Sequence, residues 1–438
     1  MPANQYRKDI AFSVGSCAHT TLVPLERPRE YPSPPMTYTA SPSPSIALHF
    51  FGNIGTSANA YRGGTFLPST GLVYCLPAST NGATLLIIDP INETSTAVGS
   101  ISGFSYFGQS LAPNGMIYGA PNGAGTTQVA KLNPIAQTIS YIGSSLGAVS
   151  NKYQGGVLAP TGAIYFIPFT STRALKVDTY TDTVSLIGST YSSPASGKWS
   201  GGVLAPNGKI YCVPYSATAV MVIDPQTDTT YTFGNVTPLT GYTNQSTGHW
   251  AGGFLGIDNK IYCFPYTAQN VLVIDPETDT LDYFPFSLNS CISSDGLSLK
   301  NVFGTGYYVN QTLTGANIIG NYFGALAANG CAYSCPGYAD TGSLADAHIG
   351  AIELNPLART GNIIRGSSDL SNYISNSATP NPTTYSLMVS DGSIIGVPNS
   401  TRGIMKITGL PRATPDMYTM PTNLAQLATS AYNRHMNR

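Results

Sequence analysis

The sequence predicts an all-β fold, a seven-bladed β-propeller of four-stranded antiparallel blades, and two repeated motifs carry this prediction. The first motif has about fourteen residues, recurs seven times, and reads most clearly at residues 201–214. Its other copies end at Pro77, Pro121, Pro168, Pro265, Pro336 and Pro398. The second motif, an aliphatic residue before Asp-Pro or Asn-Pro, follows in step at Asp89, Asn133, Asp224, Asp275 and Asn355. Self-similarity at a period of roughly 40 to 50 residues with strand-like content is typical of propellers.

The first half of each repeat predicts a β-hairpin, as the fourth copy shows. Residues 201–206 form a short apolar strand. Asn207-Gly208 follows, and this pair tolerates the positive φ that a tight turn needs. Residues 209–213 alternate as a second strand, and Pro214 ends the pairing because it has no N–H to donate.

The second half of the repeat predicts two further strands. Residues 219–223 are β-branched and apolar, which favours a strand. Residues 224–227 read Asp-Pro-Gln-Thr, with Asp and Pro at the first two corners of a type I turn. Residues 229–233 alternate as the fourth strand, so one repeat predicts one four-stranded blade.

The repeats resemble the YVTN/NHL type of propeller repeat. The resemblance is carried by Ala-Pro-Asn-Gly-Lys-Ile-Tyr at residues 205–211 and by Val-Met-Val-Ile-Asp at residues 220–224, and it covers about residues 46–410. The chain departs from that pattern after the tyrosine strand, where proline stands in place of the usual asparagine. Such repeats occur in enzymes, binding proteins and structural proteins, so the resemblance implies the fold far more than an activity.

Closure of the ring is predicted from a missing strand. The seventh repeat ends near residue 408 and is followed by Pro411 and Pro415, which disfavour a fourth strand. Residues 45–52 resemble the fourth strand of a blade and are expected to complete the last one, which removes an open sheet edge. The predicted organisation is an extended Pro-rich arm at residues 1–44, the propeller at residues 45–410, and a tail with a short helix at residues 411–438.

The composition limits the classes of partner. Charged residues are 9% of the chain and the formal net charge is −1, so no strong field attracts nucleic acid or an acidic membrane. No run of about 18 apolar residues occurs, so no membrane span is expected, and the N-terminus lacks the apolar core of a signal peptide. No cofactor is expected.

The cysteines are expected to be free thiols. Cys75, Cys212 and Cys263 occupy the same strand position in three different blades, too far apart to bridge. They are interpreted as small buried apolar residues, which fits folding in a reducing cytoplasm.

The two tails are expected to dock neighbouring subunits of an assembly. The arm combines several prolines with the basic residues Arg7, Lys8, Arg27 and Arg29, which are its candidate contact residues. The alternative is that the arm wraps its own ring.

Five aromatic residues are candidate contacts for a ligand or partner, because each ends the loop that leads from one blade into the innermost strand of the next, two residues before the repeated glycine position. They are Tyr61, Tyr106, Tyr153, Trp199 and Trp250. One interpretation is a set of aromatic platforms around the channel mouth, suited to stacking on sugars or anchoring a protein. The other is that each ring packs between adjacent blades.

Signals for catalysis are weak. The histidines show no metal-ligand spacing, and there is no nucleophile elbow or phosphate loop. Asp89, Asp178, Asp224 and Asp275 are expected to form turns.

The sequence therefore predicts a non-enzymatic structural and binding protein of a large assembly, most compatible with a phage virion made in the host cytoplasm. In that role it would be a tail, nozzle, attachment or decoration component whose loop face binds another virion protein or a glycan or protein of the host surface. No metal site is expected. The alternatives are a carbohydrate-binding propeller and a propeller lactonase or lyase.

Overall fold

A computed structural model describes twelve segments of the chain, all within the unit Ser43–Arg438. These segments are residues 46–54, 60–78, 84–99, 104–195, 197–237, 248–266, 268, 270–285, 323–335, 350–365, 383–399 and 403–410. The predicted arm (residues 1–44) and the predicted helical tail (residues 411–438) lie outside the described residues. In the part of the chain that is described, no helix is long and apolar enough to cross a bilayer.

The described residues form seven four-stranded antiparallel sheets, which are the predicted blades. Blade 1 consists of β2 (Thr65–Leu67), β3 (Leu72–Cys75), β4 (Leu85–Asp89) and β5 (Thr94–Val98). Blade 2 consists of β6 (Tyr106–Leu111), β7 (Ile117–Pro121), β8 (Val129–Asn133) and β9 (Thr138–Ile142). Blade 3 consists of β10 (Tyr153–Leu158), β11 (Ile164–Pro168), β12 (Ala174–Asp178) and β13 (Thr183–Ile187). The all-β, seven-bladed prediction is confirmed.

The remaining blades follow the same order. Blade 4 consists of β14 (Trp199–Leu204), β15 (Ile210–Pro214), β16 (Val220–Asp224) and β17 (Thr229–Phe233). Blade 5 consists of β18 (Trp250–Leu255), β19 (Ile261–Pro265), β20 (Asn270–Asp275) and β21 (Thr280–Pro285). Blade 6 consists of β22 (Ala325–Leu326), β23 (Ala332–Ser334), β24 (Gly350–Asn355) and β25 (Thr360–Arg365). Blade 7 consists of β26 (Thr383–Met388), β27 (Ile394–Pro398), β28 (Ile404–Thr408) and β1 (Ala47–Phe51).

The outermost strand of blade 7 comes from the other end of the propeller sequence. β1 pairs antiparallel with β28, with Leu48 opposite Ile407 and Phe51 opposite Ile404. The strand predicted over residues 45–52 is observed as Ala47–Phe51. Phe51 is buried in a cluster with residues of blades 7 and 1, so β1 supplies core packing as well as main-chain pairing.

Two faces of the ring are distinguished by which connections lie on them. The loop face is where the innermost strand of each blade begins and its second strand ends, for example at Trp199 and Pro214. The turn face is where the first and second strands are joined, as they are around Asn207-Gly208. The turns joining the third and fourth strands, such as residues 224–229, lie on the turn face as well.

Across the described residues the core forms seven separate clusters, and each lies between adjacent blades. The cluster of blades 4 and 5, for example, joins Tyr211 and Val222 of blade 4 to Trp250, Cys263 and Leu272 of blade 5. The strands are buried on both faces, which explains the nearly continuous apolar runs in the second and third strands. Burial of apolar surface between blades is therefore the main stabilising contribution.

A repeated polar contact joins the blades near the turn face. The hydroxyl of Tyr165 in blade 3 donates to Asp228 of blade 4 at 2.6 Å, and Lys176 pairs with the same carboxylate at 2.6 Å. Tyr118 and Lys131 contact Asp182 in the same way one boundary earlier, at 2.8 and 2.5 Å. These inter-blade contacts recur because the repeat places tyrosine, lysine and aspartate in the same register positions.

The receiving aspartates have left-handed backbone conformations. Asp182, Asp228 and Asp279 have φ of 57°, 55° and 52°. Aspartate tolerates this region better than most residues. Asp224, at the first corner of the same turn, accepts the N–H of Gln226 at 2.9 Å, as the turn prediction requires.

Candidate functional site

The five predicted aromatic contacts are buried between blades. The exposed fraction is 6% for Tyr61, 1% for Tyr106, 2% for Tyr153, 2% for Trp199 and 0% for Trp250. The indole N–H of Trp199 donates to the Ala219 carbonyl, and that of Trp250 donates to the Asn270 carbonyl. Rings buried to this extent have no open face for a sugar, so these positions favour the packing interpretation. The predicted contact residues Arg7, Lys8, Arg27 and Arg29 lie outside the described residues.

The axis of the ring is closed by two aromatic side chains. Five blades have a glycine of positive φ at the same register position, namely Gly63, Gly108, Gly155, Gly201 and Gly252. The other two blades have Phe323 and Tyr385 at that position, and the two rings stack with centroids 4.0 Å apart. A Cβ on Gly108 would lie 2.6 Å from the Gly155 Cα and 2.7 Å from the Tyr385 hydroxyl oxygen. Only glycine therefore fits at this register position in the five blades.

A third aromatic ring extends this axial plug. Phe107 makes edge contacts with Phe323 and with Tyr385, each at 6.2 Å between centroids. The guanidinium of Arg62 lies over the Phe107 ring, 5.5 Å from its centroid. The repeat alignment contained the signal for the plug, because aromatic residues replace glycine in the last two repeats. The aromatic residues of these two repeats fill space that the glycines of the other five blades leave open.

Main-chain hydrogen bonds connect consecutive blades on the loop face. The N–H of Lys198 donates to the Phe169 carbonyl, and the N–H of Tyr215 donates to the Lys198 carbonyl, both at 2.9 Å. The next boundary repeats the pattern, with His249 donating to Tyr215 at 2.5 Å and Tyr266 donating to His249 at 2.8 Å. These bonds fix the start of each innermost strand against the end of the second strand in the preceding blade.

This backbone pattern positions a row of three aromatic side chains, which we call the aromatic row (Phe169, Tyr215 and Tyr266). The centroids of Phe169 and Tyr215 are 5.2 Å apart, and those of Tyr215 and Tyr266 are 5.3 Å apart. Tyr215 and Tyr266 are half-buried, whereas Phe169 is 9% exposed. A Cβ on Gly248 would overlap the Tyr215 ring, so the glycine lets that ring lie against the backbone. Sequence reasoning missed the row, although an aromatic directly follows the motif's last proline in three consecutive repeats.

Three ionisable side chains lie beneath the loop face in equivalent positions of blades 3, 4 and 5. Lys152 donates to the carbonyls of Gly123 and Thr126 at 2.8 and 3.0 Å, and Lys198 donates to the carbonyl of Thr170 at 3.0 Å. Burial lowers the pKa of both amines. Each lysine therefore satisfies main-chain acceptors and holds a connecting loop in place.

His249 occupies the third of these positions and is bound differently. It is 5% exposed, its ring lies 5.7 Å from that of Trp250, and its Nδ1 atom has no hydrogen-bond partner. Burial lowers the pKa of the imidazole, so the neutral form is favoured. A buried, unpartnered imidazole nitrogen is costly, so His249 is less well satisfied by its surroundings than the two lysines at the equivalent positions.

The cysteine thiols of the described residues are buried. Burial raises the pKa of the Cys75, Cys212 and Cys263 thiols, so they are poor nucleophiles. The cysteines of the described residues are free, as expected from the sequence. Among those residues, no group of three His, Cys, Asp or Glu side chains is arranged to hold a metal ion.

Solved structures with the same fold exist, whereas sequence comparison finds no relative. No protein-family model matches the chain, and no curated protein matches it. Streptogramin B lyase has a TM-score of 0.58 at 12% identity, over 84% of this chain and 99% of that one. Virginiamycin B lyase from Staphylococcus aureus has a TM-score of 0.56 at 11% identity, over 83% and 99%. YCF48 bound to D1 peptide has a TM-score of 0.51 at 10% identity, over 82% and 96%.

These similarities define the class of protein. The chain is a seven-bladed β-propeller whose fold is shared with lyases and with a peptide-binding protein. At 10 to 12% identity, the likeness shows the fold alone, and function has to be argued from the residues of this chain.

Proposed function

We propose that this propeller is a non-enzymatic binding protein that docks a protein partner on its loop face. The observation that supports the proposal is the aromatic row, in which Tyr215 and Tyr266 are half-buried side by side on a rigid backbone. Tyrosine combines a large apolar surface with a hydroxyl and loses little entropy on binding, which is why it is enriched in protein interfaces. Loops held by a rigid scaffold are the usual place for recognition.

Binding is favoured over acid–base catalysis by the state of the ionisable groups. The amines of Lys152 and Lys198 donate to main-chain carbonyls, and the Asp228 carboxylate accepts from Tyr165 and Lys176. Groups engaged in this way hold the blades together and are not free to exchange protons with a substrate. The lyases among the similar structures share the fold with this chain, but their low sequence identity assigns no catalytic role to its residues.

Site-specific photo-crosslinking tests the docking face. With p-benzoylphenylalanine at position 215, irradiation in the source cells is expected to give a covalent adduct with a protein. The matched control is position 283, because Tyr283 is a tyrosine on the outermost strand of blade 5 and is 44% exposed. Equal adducts at both positions, or none at position 215, would contradict the proposal.

A carbohydrate ligand is the second candidate, and the same row favours it because two tyrosine hydroxyls flank ring surfaces suited to stacking. A glycan array separates the two functions. Saturable binding that is lost in Tyr215→Ala and kept in Tyr283→Ala would identify a sugar-binding site. An empty array together with a protein adduct supports the partner-docking function.

The assembly proposed for this protein is a virion, in which the arm at residues 1–44 docks neighbouring subunits. The proposal is supported by the weakly charged, polar composition and by the basic residues of a Pro-rich arm. Deletion of residues 1–44 keeps β1 (Ala47–Phe51) and so leaves the ring intact. We expect the truncated protein to fold but to be absent from purified particles. Normal incorporation would refute the docking role of the arm.

A further inference from the structure

The turn face carries a ring of seven apolar side chains around the axis. Each blade contributes one residue of its innermost strand, in the register position of Leu204, which pairs with Ile210 at the start of the second strand of blade 4. These residues are Phe66, Leu111, Leu158, Leu204, Leu255, Leu326 and Met388. They pack partly against the clusters between blades, yet most keep an open side, and Met388 is 43% exposed. No blade places a polar residue at this position.

A cavity of about 420 Å³ opens between blades 3, 4 and 5 at this ring. Three ring members, Leu158, Leu204 and Leu255, form part of its wall. None of its lining residues carries a charged or polar side chain. The volume lies within the range of small-molecule sites, which are concave and mostly apolar.

The cavity ends at the axial plug. Its inner wall includes Gly202 and Gly253. The preceding residue of the same strand, Gly252, lies against Phe323, since a Cβ there would be 2.8 Å from the Phe323 Cα. The aromatic side chains of blades 6 and 7 therefore close the axis one residue beyond the cavity, and the site is a blind apolar well.

We propose that this well binds a neutral small molecule of mainly hydrocarbon character, such as an alkyl chain with an uncharged head. Burial of apolar surface drives such binding, and the well offers no hydrogen-bond donor or cation from its side chains. A carboxylate or ammonium would lose its hydration there without gaining a partner, so charged analogues are disfavoured. This site is on the turn face and is separate from the aromatic row.

Fluorescence titration with the neutral probe N-phenyl-1-naphthylamine tests the well. Saturable binding of one probe per chain is expected, with displacement by 1-decanol and at least tenfold weaker displacement by decanoate. Leu204→Glu is expected to weaken probe binding at least tenfold. The control Leu186→Glu changes an exposed leucine of the outermost strand of blade 3 and is expected to bind like the wild type.

A second measurement on the unmodified protein keeps the test decisive if Leu204→Glu fails to fold. A crystal soaked in 1-bromodecane is expected to show bromine anomalous density between blades 3, 4 and 5. Absence of both saturable binding and bromine density would overturn the proposal, as would equal effects of Leu186→Glu and Leu204→Glu. Equal competition by decanoate would overturn the neutral class of ligand. Tyr215→Ala should leave probe binding unchanged, so this test fails independently of the loop-face function.

Discussion

The ring of Phe323 lies parallel to the ring of Tyr385, with centroids 4.0 Å apart and planes inclined by 9°. The glycines of five blades leave space at the axis, and the aromatic rings of the other two blades fill it. The asymmetry has a physical reason, because seven side chains at that radius would collide whereas seven glycines would leave a void. A packed axis fixes the spacing of the blades and separates the loop face from the blind well on the turn face.

The crowding at the axis predicts a large difference between two glycine substitutions in blade 2. Gly108→Ala places a Cβ 2.6 Å from the Gly155 Cα, whereas Gly115→Ala meets no atom within 4 Å, although both positions have positive φ (85° and 78°). We expect Gly115→Ala to cost about 1 kcal/mol from the backbone conformation alone. Gly108→Ala should cost roughly 1–3 kcal/mol more through the clash. Chemical denaturation measures both, and equal losses would argue against a tight axis.

The inter-blade contact of Tyr211 predicts a loss of stability when its hydroxyl is removed. This hydroxyl donates to Asp279 of the next blade at 2.8 Å, and Tyr231 donates to the other oxygen of that carboxylate. Because hydrogen bonds to charged groups contribute about 1.5–3 kcal/mol, Tyr211→Phe should lower the free energy of unfolding by about that amount. Tyr283→Phe, at an exposed tyrosine, serves as the control and should change it little.

His249 predicts a pH dependence of stability. The pKa of its imidazole is lowered in the folded protein by burial, whereas the unfolded chain titrates near the ordinary value of about 6.5. Below about pH 6.5 the unfolded state therefore binds more protons than the native state. The contribution of neutral His249 is complete above this pH and is lost as the pH falls toward the folded pKa.

The His249→Gln variant isolates that contribution, since other titrating groups are common to both proteins. Thermal unfolding between pH 7.5 and pH 5 should show the wild type losing melting temperature faster than the variant as the pH decreases. Parallel curves would show that His249 titrates normally in the native state.

The buried thiols predict a distinct pattern of alkylation. Cys75, Cys212 and Cys263 are 0% exposed, and their pKa values are raised by burial, so native protein at pH 8 should leave them unmodified. Brief treatment with iodoacetamide followed by peptide mapping should find label at these positions only after addition of denaturant. Rapid labelling of Cys212 in the native protein would contradict its place between blades 3 and 4.

The sequence by itself determined the number of blades, the order of strands and the identity of the closing strand. These features depend on local chemistry that repeats in register, such as the Asn207-Gly208 turn and the Asp224 corner, and on a missing strand that the segment around Phe50 could supply. Burial of Cys212 and the structural role of Asp224 followed from the same periodicity. The repeat can be recognised in the sequence because each blade needs the same turns and strands at the same positions.

Only the tertiary structure decided which side chains meet across blades. The Trp199 ring is buried and the Tyr215 ring is half-buried, although both are aromatic residues that flank the repeat. Phe323 and Tyr385 stack although they are separated by a blade boundary and about sixty residues of sequence. The curvature of the closed ring determines these contacts, because the distance of each register position from the ring axis determines how closely the side chains of neighbouring blades pack. A local sequence pattern does not specify that distance. The axial plug and the apolar well are therefore visible only in the structure of the seven blades together.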